Sequence, residues 1–412
     1  MNKYTINGNG KSPFFEKQDE QNIYPEPNKD IECDVLIVGG GITGLITAYY
    51  FLKSNVSVCV AEGKEIAGGS TRYSSAIMQY DADFNLIELK RRFGAETALY
   101  LLRQSLISLN NIENIVKSIN SNCGFKRRDC FYFSDKLRKK DDMQEEYKLR
   151  KYSGFDVEYL DRVSGLNMFS FNFEDGIYSK DMGAEMNPIR FAKDMAAYLS
   201  LNNTAVYENT EIDTVYENNE NGGFTSETSK GKKIKSKAIC DCRGQEAIKR
   251  YPNLGTVYTA FTVATKPVSG FNGWNNRCNM KDDYCPNIYL ATTIDNRIII
   301  SGEDSKLIKP DGTIMGINMN FYLNYKYDYL EDVLRDMFFG IEDLIVENRY
   351  AGSIIHTNDK LPYIGEDASL KKFYYAYCYN HCGILSADMA GRYLSEMFLG
   401  KPVENLNLFK IL

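Results

Sequence analysis

No stretch of this chain approaches the roughly 18 unbroken apolar residues that cross a bilayer, which argues against a membrane-spanning helix. The first residues show no apolar core of the signal-peptide kind, and the ten cysteines are scattered without a tight framework. Together these predict reduced thiols and a cytoplasmic setting. Positive charge is in deficit: 49 Lys and Arg against 55 Asp and Glu leave a net charge of -6. That balance argues against nucleic acid as the main partner. The basic run at residues 136–140 is followed by Asp141, Asp142, Glu145 and Glu146 and reads as a solvated helix or loop. The run at 230–237 is split by Gly231 and reads as a hairpin tip. Histidine is nearly missing, with His356 and His381 the two in the chain. No metal centre is expected. Cys240 and Cys242 would point to opposite faces of a strand, and Cys378, His381 and Cys382 have no second ligand cluster to join.

What is present is concentrated in residues 34–44, DVLIVGGGITG. A short apolar run ends in a Gly-rich turn, and Leu45, Ile46, Ala48, Tyr49 and Leu52 then follow a helical pattern. Gly39 allows the tight turn, Gly41 lets a pyrophosphate approach the backbone, and Gly44 lets helix and strand pack closely. The helix start offers free N–H groups and a positive dipole end to phosphates. A second apolar strand, residues 56–61, ends at Glu62. That acid lies 18 residues after Gly44, where a dinucleotide fold needs a carboxylate for a ribose hydroxyl. By itself the segment leaves NAD and FAD both open.

At 412 residues two domains are expected. Residues 1–30 read as a polar arm with Pro13, Pro25 and Pro27. Residues 84–119 carry helical periodicity. A helix is predicted from Asn187-Pro188, and others near 321–339 and 384–399. Residues 256–303 alternate as antiparallel sheet does. The nucleotide-type elements are interrupted by two mixed insertions. The reading is a discontinuous α/β Rossmann-like domain over 31–120, 181–250 and 350–412. A mixed α+β substrate domain with antiparallel sheet occupies 121–180 and 251–349. A simple NAD dehydrogenase more often completes its sheet without such interruptions, which favours FAD.

From about residue 30 onward the chain resembles the FAD-dependent amine and amino-acid oxidoreductases of the D-amino acid oxidase superfamily, which includes glycine, sarcosine and putrescine-type oxidases. The resemblance rests on the N-terminal turn and on residues 69–81 (GSTRYSSAIMQYD), 183–188, 297–304 (RIIISGED) and 357–365 (TNDKLPYIG). It implies a GR2-type fold and FAD, which is expected to be held without a covalent link because residues 354–356 read Ile-Ile-His. Gly39, Gly41, Ile42, Thr43 and Gly44 would hold the pyrophosphate end, with Glu62 and Gly63 at the adenosine ribose. Gly69, Ser70, Thr71, Ser74 and Ser75 would lie along the pyrophosphate and ribityl chain. Ile212 would pair with adenine through its backbone, and Gly244 would close the second crossover. Gly383 and Ile384 would open a helix whose positive end faces flavin N1 and the C2 oxygen.

Departures from the family narrow the chemistry. Relatives carry several glycines before the last helix; here Cys378-Tyr379-Asn380-His381-Cys382 leaves only Gly383. The arginine that clamps a substrate carboxylate in the glycine-oxidase pattern is Ile354. The lysine used over the flavin by sarcosine-type oxidases is missing from its strand, where Ile300 stands. Oxidation of a small amine or amino-acid derivative by hydride transfer to flavin N5 is therefore expected, with His356, His381, Tyr80 and Tyr289 as candidate catalytic or wall residues. The alternatives are a 2-hydroxy-acid dehydrogenase on the same scaffold, a flavin- or nucleotide-binding protein with a degenerate site, and an NAD-dependent dehydrogenase.

Overall fold

The computed structural model describes residues 12–14, 24–135, 140–218, 222–284, 286–306 and 319–411. Most of the basic run at 136–140 and part of the turn expected near 219–223 lie outside them. The strands in chain order are β1 (Ile31–Val38), β2 (Val58–Ala61), β3 (Met78–Gln79), β4 (Lys126–Ser134), β5 (Val157–Asp161), β6 (Asp175–Glu185), β7 (Ala205–Tyr207), β8 (Ile212–Glu217) and β9 (Phe224–Thr228). They continue with β10 (Lys233–Asp241), β11 (Thr256–Thr265), β12 (Asn279–Asp282), β13 (Ile288–Thr292), β14 (Ile298–Ser305), β15 (Val346–His356), β16 (Tyr363–Glu366) and β17 (Phe373–Tyr377). The helices are α1 (Ile42–Lys53), α2 (Leu86–Phe93), α3 (Ala95–Ser118), α4 (Lys140–Tyr152), α5 (Arg162–Gly165), α6 (Pro188–Leu201), α7 (Met319–Met337) and α8 (Gly383–Phe398).

The first sheet runs β16-β17-β10-β1-β2-β7, with the β8–β9 hairpin paired onto the first half of β10. β1 is parallel to both β2 and β10, and β10 to β17. Val35, Leu36, Ile37 and Val38 of β1 are all buried because both faces of the sheet are covered: Val35 and Ile37 lie in the core shared with α1, and Leu36 and Val38 in a core with Ile212 of β8 and Phe224 of β9. Helix α1 packs between the sheet and α6 and α8, which is why it is apolar nearly all round. α6 starts as its sequence requires: the Asn187 side chain accepts from the N–H groups of Ile189 and Arg190, with Pro188 in the first turn. The helical periodicity over 84–119 resolves into two helices. Gly94, at φ 83°, ends α2 and begins α3.

The second sheet runs β15-β11-β14-β13-β12-β4-β6-β3, with β5 on β6. The two insertions become one sheet through the parallel pairing of β4 with β12, from Cys130 opposite Asn279 to Phe133 opposite Asp282. α7 covers one face over a core that includes Phe131, Phe261, Val263, Ile300, Leu330 and Leu334. The other face turns to the nucleotide domain. The boundaries drawn at 181 and 350 need correction, because they fall inside β6 and β15, both strands of this second sheet. Alternation marks a strand but carries no information about its distant partner, and the partner decides the domain.

Candidate active site

The phosphate end is built by close backbone approach. Gly39 sits at φ 115°, and a Cβ there would lie 2.7 Å from the Cys242 carbonyl oxygen. A Cβ on Gly44 would stand 1.9 Å from the Gly39 carbonyl oxygen, so strand end and helix start meet only because both residues are glycine. Gly41 and Gly69 stay open: the nearest atom to a Cβ on Gly41 is Thr71 Oγ1 at 3.4 Å, and nothing lies within 4 Å of one on Gly69. The Ile42 N–H donates to Thr71 Oγ1 at 3.2 Å. The first intrahelical bond of α1 runs from the Leu45 N–H to the Gly41 carbonyl, and the helix has neither a side-chain cap nor an acid in its first turn. The N–H groups of Thr43 and Gly44 therefore lack helical acceptors, as at an anion-binding helix start. Glu62 sits beside the turn, accepting from the Gly40 N–H at 2.7 Å and the Lys64 N–H at 2.9 Å. Burial raises its pKa against the pull of those two bonds. Gly63 approaches Glu211, while Gly244, at φ 59°, has open space at its Cβ position. Ser74 Oγ accepts from the Ala76 N–H, Ser70 is exposed and Ser75 half-buried. Ile212 begins β8, buried opposite Thr228. An extended dinucleotide fits this donor set and these openings.

At the other end, α8 begins beneath the second sheet. Its first intrahelical bond joins the Ser386 N–H to the Cys382 carbonyl, which leaves the Gly383 and Ile384 N–H groups pointing out of the helix start. A Cβ on Gly383 would meet only the Cys378 carbonyl oxygen, at 3.1 Å. The turn before it, stripped of glycines, closes by other means. Asn380 takes φ 64°, its Oδ1 accepts from the Thr357 N–H at 3.0 Å, and its N–H donates to the Ile355 carbonyl. The Asp83 carboxylate accepts from both the His381 and Cys382 N–H groups, each at 2.7 Å. The bulk of His381 is thereby turned away from the helix axis toward the second sheet.

There both histidines converge on Asp304. His356 Nε2 lies 2.7 Å and His381 Nε2 3.1 Å from the same Asp304 Oδ2. The two rings are 5.3 Å apart and nearly perpendicular. Tyr258 packs against His356 and Tyr289 against His381, with ring centroids 4.8 and 4.6 Å apart and the planes tilted by 46° and 31°. A bulge in β14 makes this possible. Between the pairs Phe261–Gly302 and Thr259–Ser305, β14 spends one residue more than β11, with Gly302 at φ 145° and Glu303 at φ 54°. The extra residue reverses the alternation: Glu303 pairs with Lys326 of α7 at 2.6 Å, and Asp304 faces the nucleotide domain. On β15, Gly352, Ile354 and His356 share that face by alternation; Gly352 abuts Tyr73. Burial works against ionised Asp304, and the two histidines overcome it, holding its carboxyl well below the usual range. Burial likewise opposes the charged form of His381, but Asp304 leaves its pKa raised.

Of the candidate side chains, the structure brings His356, His381 and Tyr289 together; the Tyr289 hydroxyl also donates to the Ala82 carbonyl at 2.8 Å. Tyr80 is a correction. It is fully buried against Phe155, with its hydroxyl on Arg150 and Ser179, because Asp81 and Glu146 draw Arg150 into the core beside it. Cys378, His381 and Cys382 turn to different partners, with Cys382 Sγ on the Gln79 carbonyl. Ile300 faces α7 rather than the nucleotide domain. Asp304, Asp83 and Tyr258 complete the site from outside the sequence-based candidates. Gly302 two residues before Asp304 is the bulge signal that was there to read; nothing local marks Asp83 or Tyr258.

A parallel-sheet dinucleotide cradle, continued by a helix start beneath the face of a second sheet, defines a two-domain flavin-dependent oxidoreductase. The chain belongs to the FAD dependent oxidoreductase family, which it matches over residues 34–397. Its sequence is 23% identical over 389 residues to gamma-glutamylputrescine oxidoreductase of Escherichia coli K12, covering 90% of this chain and 85% of that protein. It is 30% identical over 111 residues to the putative Rieske 2Fe-2S iron-sulfur protein YhfW of Bacillus subtilis 168, a stretch that is 27% of this chain and 22% of that one. Its fold is similar to that of glycine oxidase from Geobacillus kaustophilus, at TM-score 0.76 and 17% identity, covering 93% and 99% of the two chains.

Proposed function

We propose that the protein oxidises a small amine or amino-acid derivative using FAD held without a covalent bond. The observation that carries this reading is the polar centre Asp304–His356–His381, set on the sheet face that meets the start of α8. Bound FAD would supply the acceptor for the hydride on the carbon beside nitrogen. The chain's own residues would do the rest. Gly39, Gly41, Thr43, Gly44 and Glu62 would hold the diphosphate and ribose, and the Gly383 and Ile384 N–H groups would face the flavin pyrimidine edge. The polar centre would receive the amine nitrogen as it gives up its proton, while Tyr258, Tyr289 and Ile354 exclude water and orient the carbon chain. Ile354 in place of an arginine disfavours the carboxylate clamp of a simple α-amino acid. The relatives named for glutamylated putrescine and glycine support nitrogen-bearing substrates as a class.

Anaerobic mixing of the yellow protein with panels of amines, amino acids and 2-hydroxy acids tests the reading. Loss of flavin absorbance at about 450 nm is expected with amines. Bleaching by hydroxy acids alone, or by no substrate at all, would refute it.

A further inference from the structure

The three side chains of the polar centre arrive from separate parts of the fold: Asp304 from the bulge of β14, His356 from the end of β15, His381 from the turn before α8. They take up both histidines of the chain. Their ligand atoms all lie within 4.8 Å of one another. Neighbouring donors on a divalent transition metal with bonds of about 2.0–2.2 Å stand roughly 2.9–3.4 Å apart. The observed 2.7 and 3.1 Å to Asp304 Oδ2 need open by only a few tenths of an ångström, while the two imidazole nitrogens, within 4.8 Å of each other, would close toward the same range. Tyr258 and Tyr289, packed against the two imidazoles, hold both rings in place. A separate observation concerns the other oxygen of the carboxylate. Asp304 Oδ1 is buried and, among the described residues, accepts no hydrogen bond, a costly condition for a charged group. Both imidazoles are half-buried, so the group is open on one side.

We propose that Asp304, His356 and His381 form a binding site for one divalent transition-metal ion. Two imidazoles and a carboxylate suit borderline ions such as Zn²⁺ or Co²⁺. The ion takes the place of the protons now shared between each Nε2 and Oδ2. Those protons pass to Nδ1 or to solvent, and Oδ1 becomes a second ligand or an acceptor for metal-bound water. The open side leaves coordination positions for an amine nitrogen or a carboxylate. A positive centre then stands two residues along β15 from Ile354, where no arginine is present. The site does not rest on the function proposed above: a protein that binds no metal and still oxidises amines overturns this inference alone.

With two histidines in the chain, ¹⁵N-histidine labelling of the untagged, FAD-loaded protein gives two imidazole spin systems. After chelator treatment, titration with Zn²⁺ is expected to shift both rings together, saturating at one ion per chain. Unchanged spectra in excess Zn²⁺, or a shift of one ring only, would overturn the site. Competition against a chromogenic chelator gives the second measurement. Asp304→Asn, checked for retained flavin, is expected to weaken Zn²⁺ binding about 10–100-fold or more. Wild-type affinity in that variant would also overturn the site.

Discussion

On the proposed function, Glu62 is the side chain that would hold the cofactor's ribose. Its carboxylate already accepts from the turn at Gly40 and from Lys64, and a ribose hydroxyl would add a charge-assisted bond of about 1.5–3 kcal/mol. Glu62→Gln is expected to weaken FAD binding by roughly 10–100-fold, read by equilibrium dialysis of flavin against the stripped protein. Asp282 tests burial rather than binding. Its carboxyl, at the end of β12, is pushed up to about 7 by burial, against bonds from the Ile288 and Tyr284 N–H groups. The folded value thus lies above the unfolded value near 3.9. The stability tied to protonated Asp282 is whole below pH 4 and is lost as the pH rises through about 7. Asp282→Asn should therefore stabilise the protein by about 2–4 kcal/mol at pH 8, with the gain fading toward pH 4 in denaturant melts.

Between elements, the buried Arg150 joins three parts of the chain. From α4 it reaches Asp81 after β3 at 2.7 Å and Glu146 one turn back at 2.7 Å, with all three side chains almost completely excluded from water. The Glu146 carboxylate in turn accepts from the Leu86 and Ile87 N–H groups at the start of α2, at 2.7 and 2.8 Å. Removing the guanidinium takes the ion-pair partner at 2.7 Å from two buried carboxylates, leaving Glu146 its two N–H donors and Asp81 the Gln79 amide. Arg150→Ala is expected to lower stability by about 3–5 kcal/mol, measured by urea unfolding. Asp83, two residues past Asp81, caps the turn before α8, so loosening of this segment should reach the flavin end of the site.

The whole molecule couples its two sheets. The pairing of β4 with β12 makes one domain of two insertions, and the site lies where that domain faces the nucleotide sheet. Ligand binding at such a place stabilises the folded state of both. FAD at 100 times its Kd adds about 2.7 kcal/mol. With an unfolding entropy of about 2.1 cal/mol/K per residue, a chain of 412 residues should gain roughly 3 °C in Tm. Calorimetry with and without FAD checks this; a transition that FAD leaves in place would count against the cradle.

The sequence by itself determined the nucleotide-binding half. Gly39, Gly41 and Gly44 shape the turn through backbone geometry and Glu62 sets a carboxylate beside it, all within about thirty residues, and short-range geometry is written in local spacing. The helix start at Asn187-Pro188 was legible for the same reason. Only the tertiary structure decided the polar centre. His356 and His381 were visible as residues, but Asp304 reaches them because a single-residue bulge reverses its face, and because the β14–β11 pairing sets the register at which it does so. The same holds for Tyr80, whose place depends on an arginine seventy residues away. Pairing partners and buried charge networks join segments far apart in the chain, and no local pattern encodes which distant segment a strand or a guanidinium will meet.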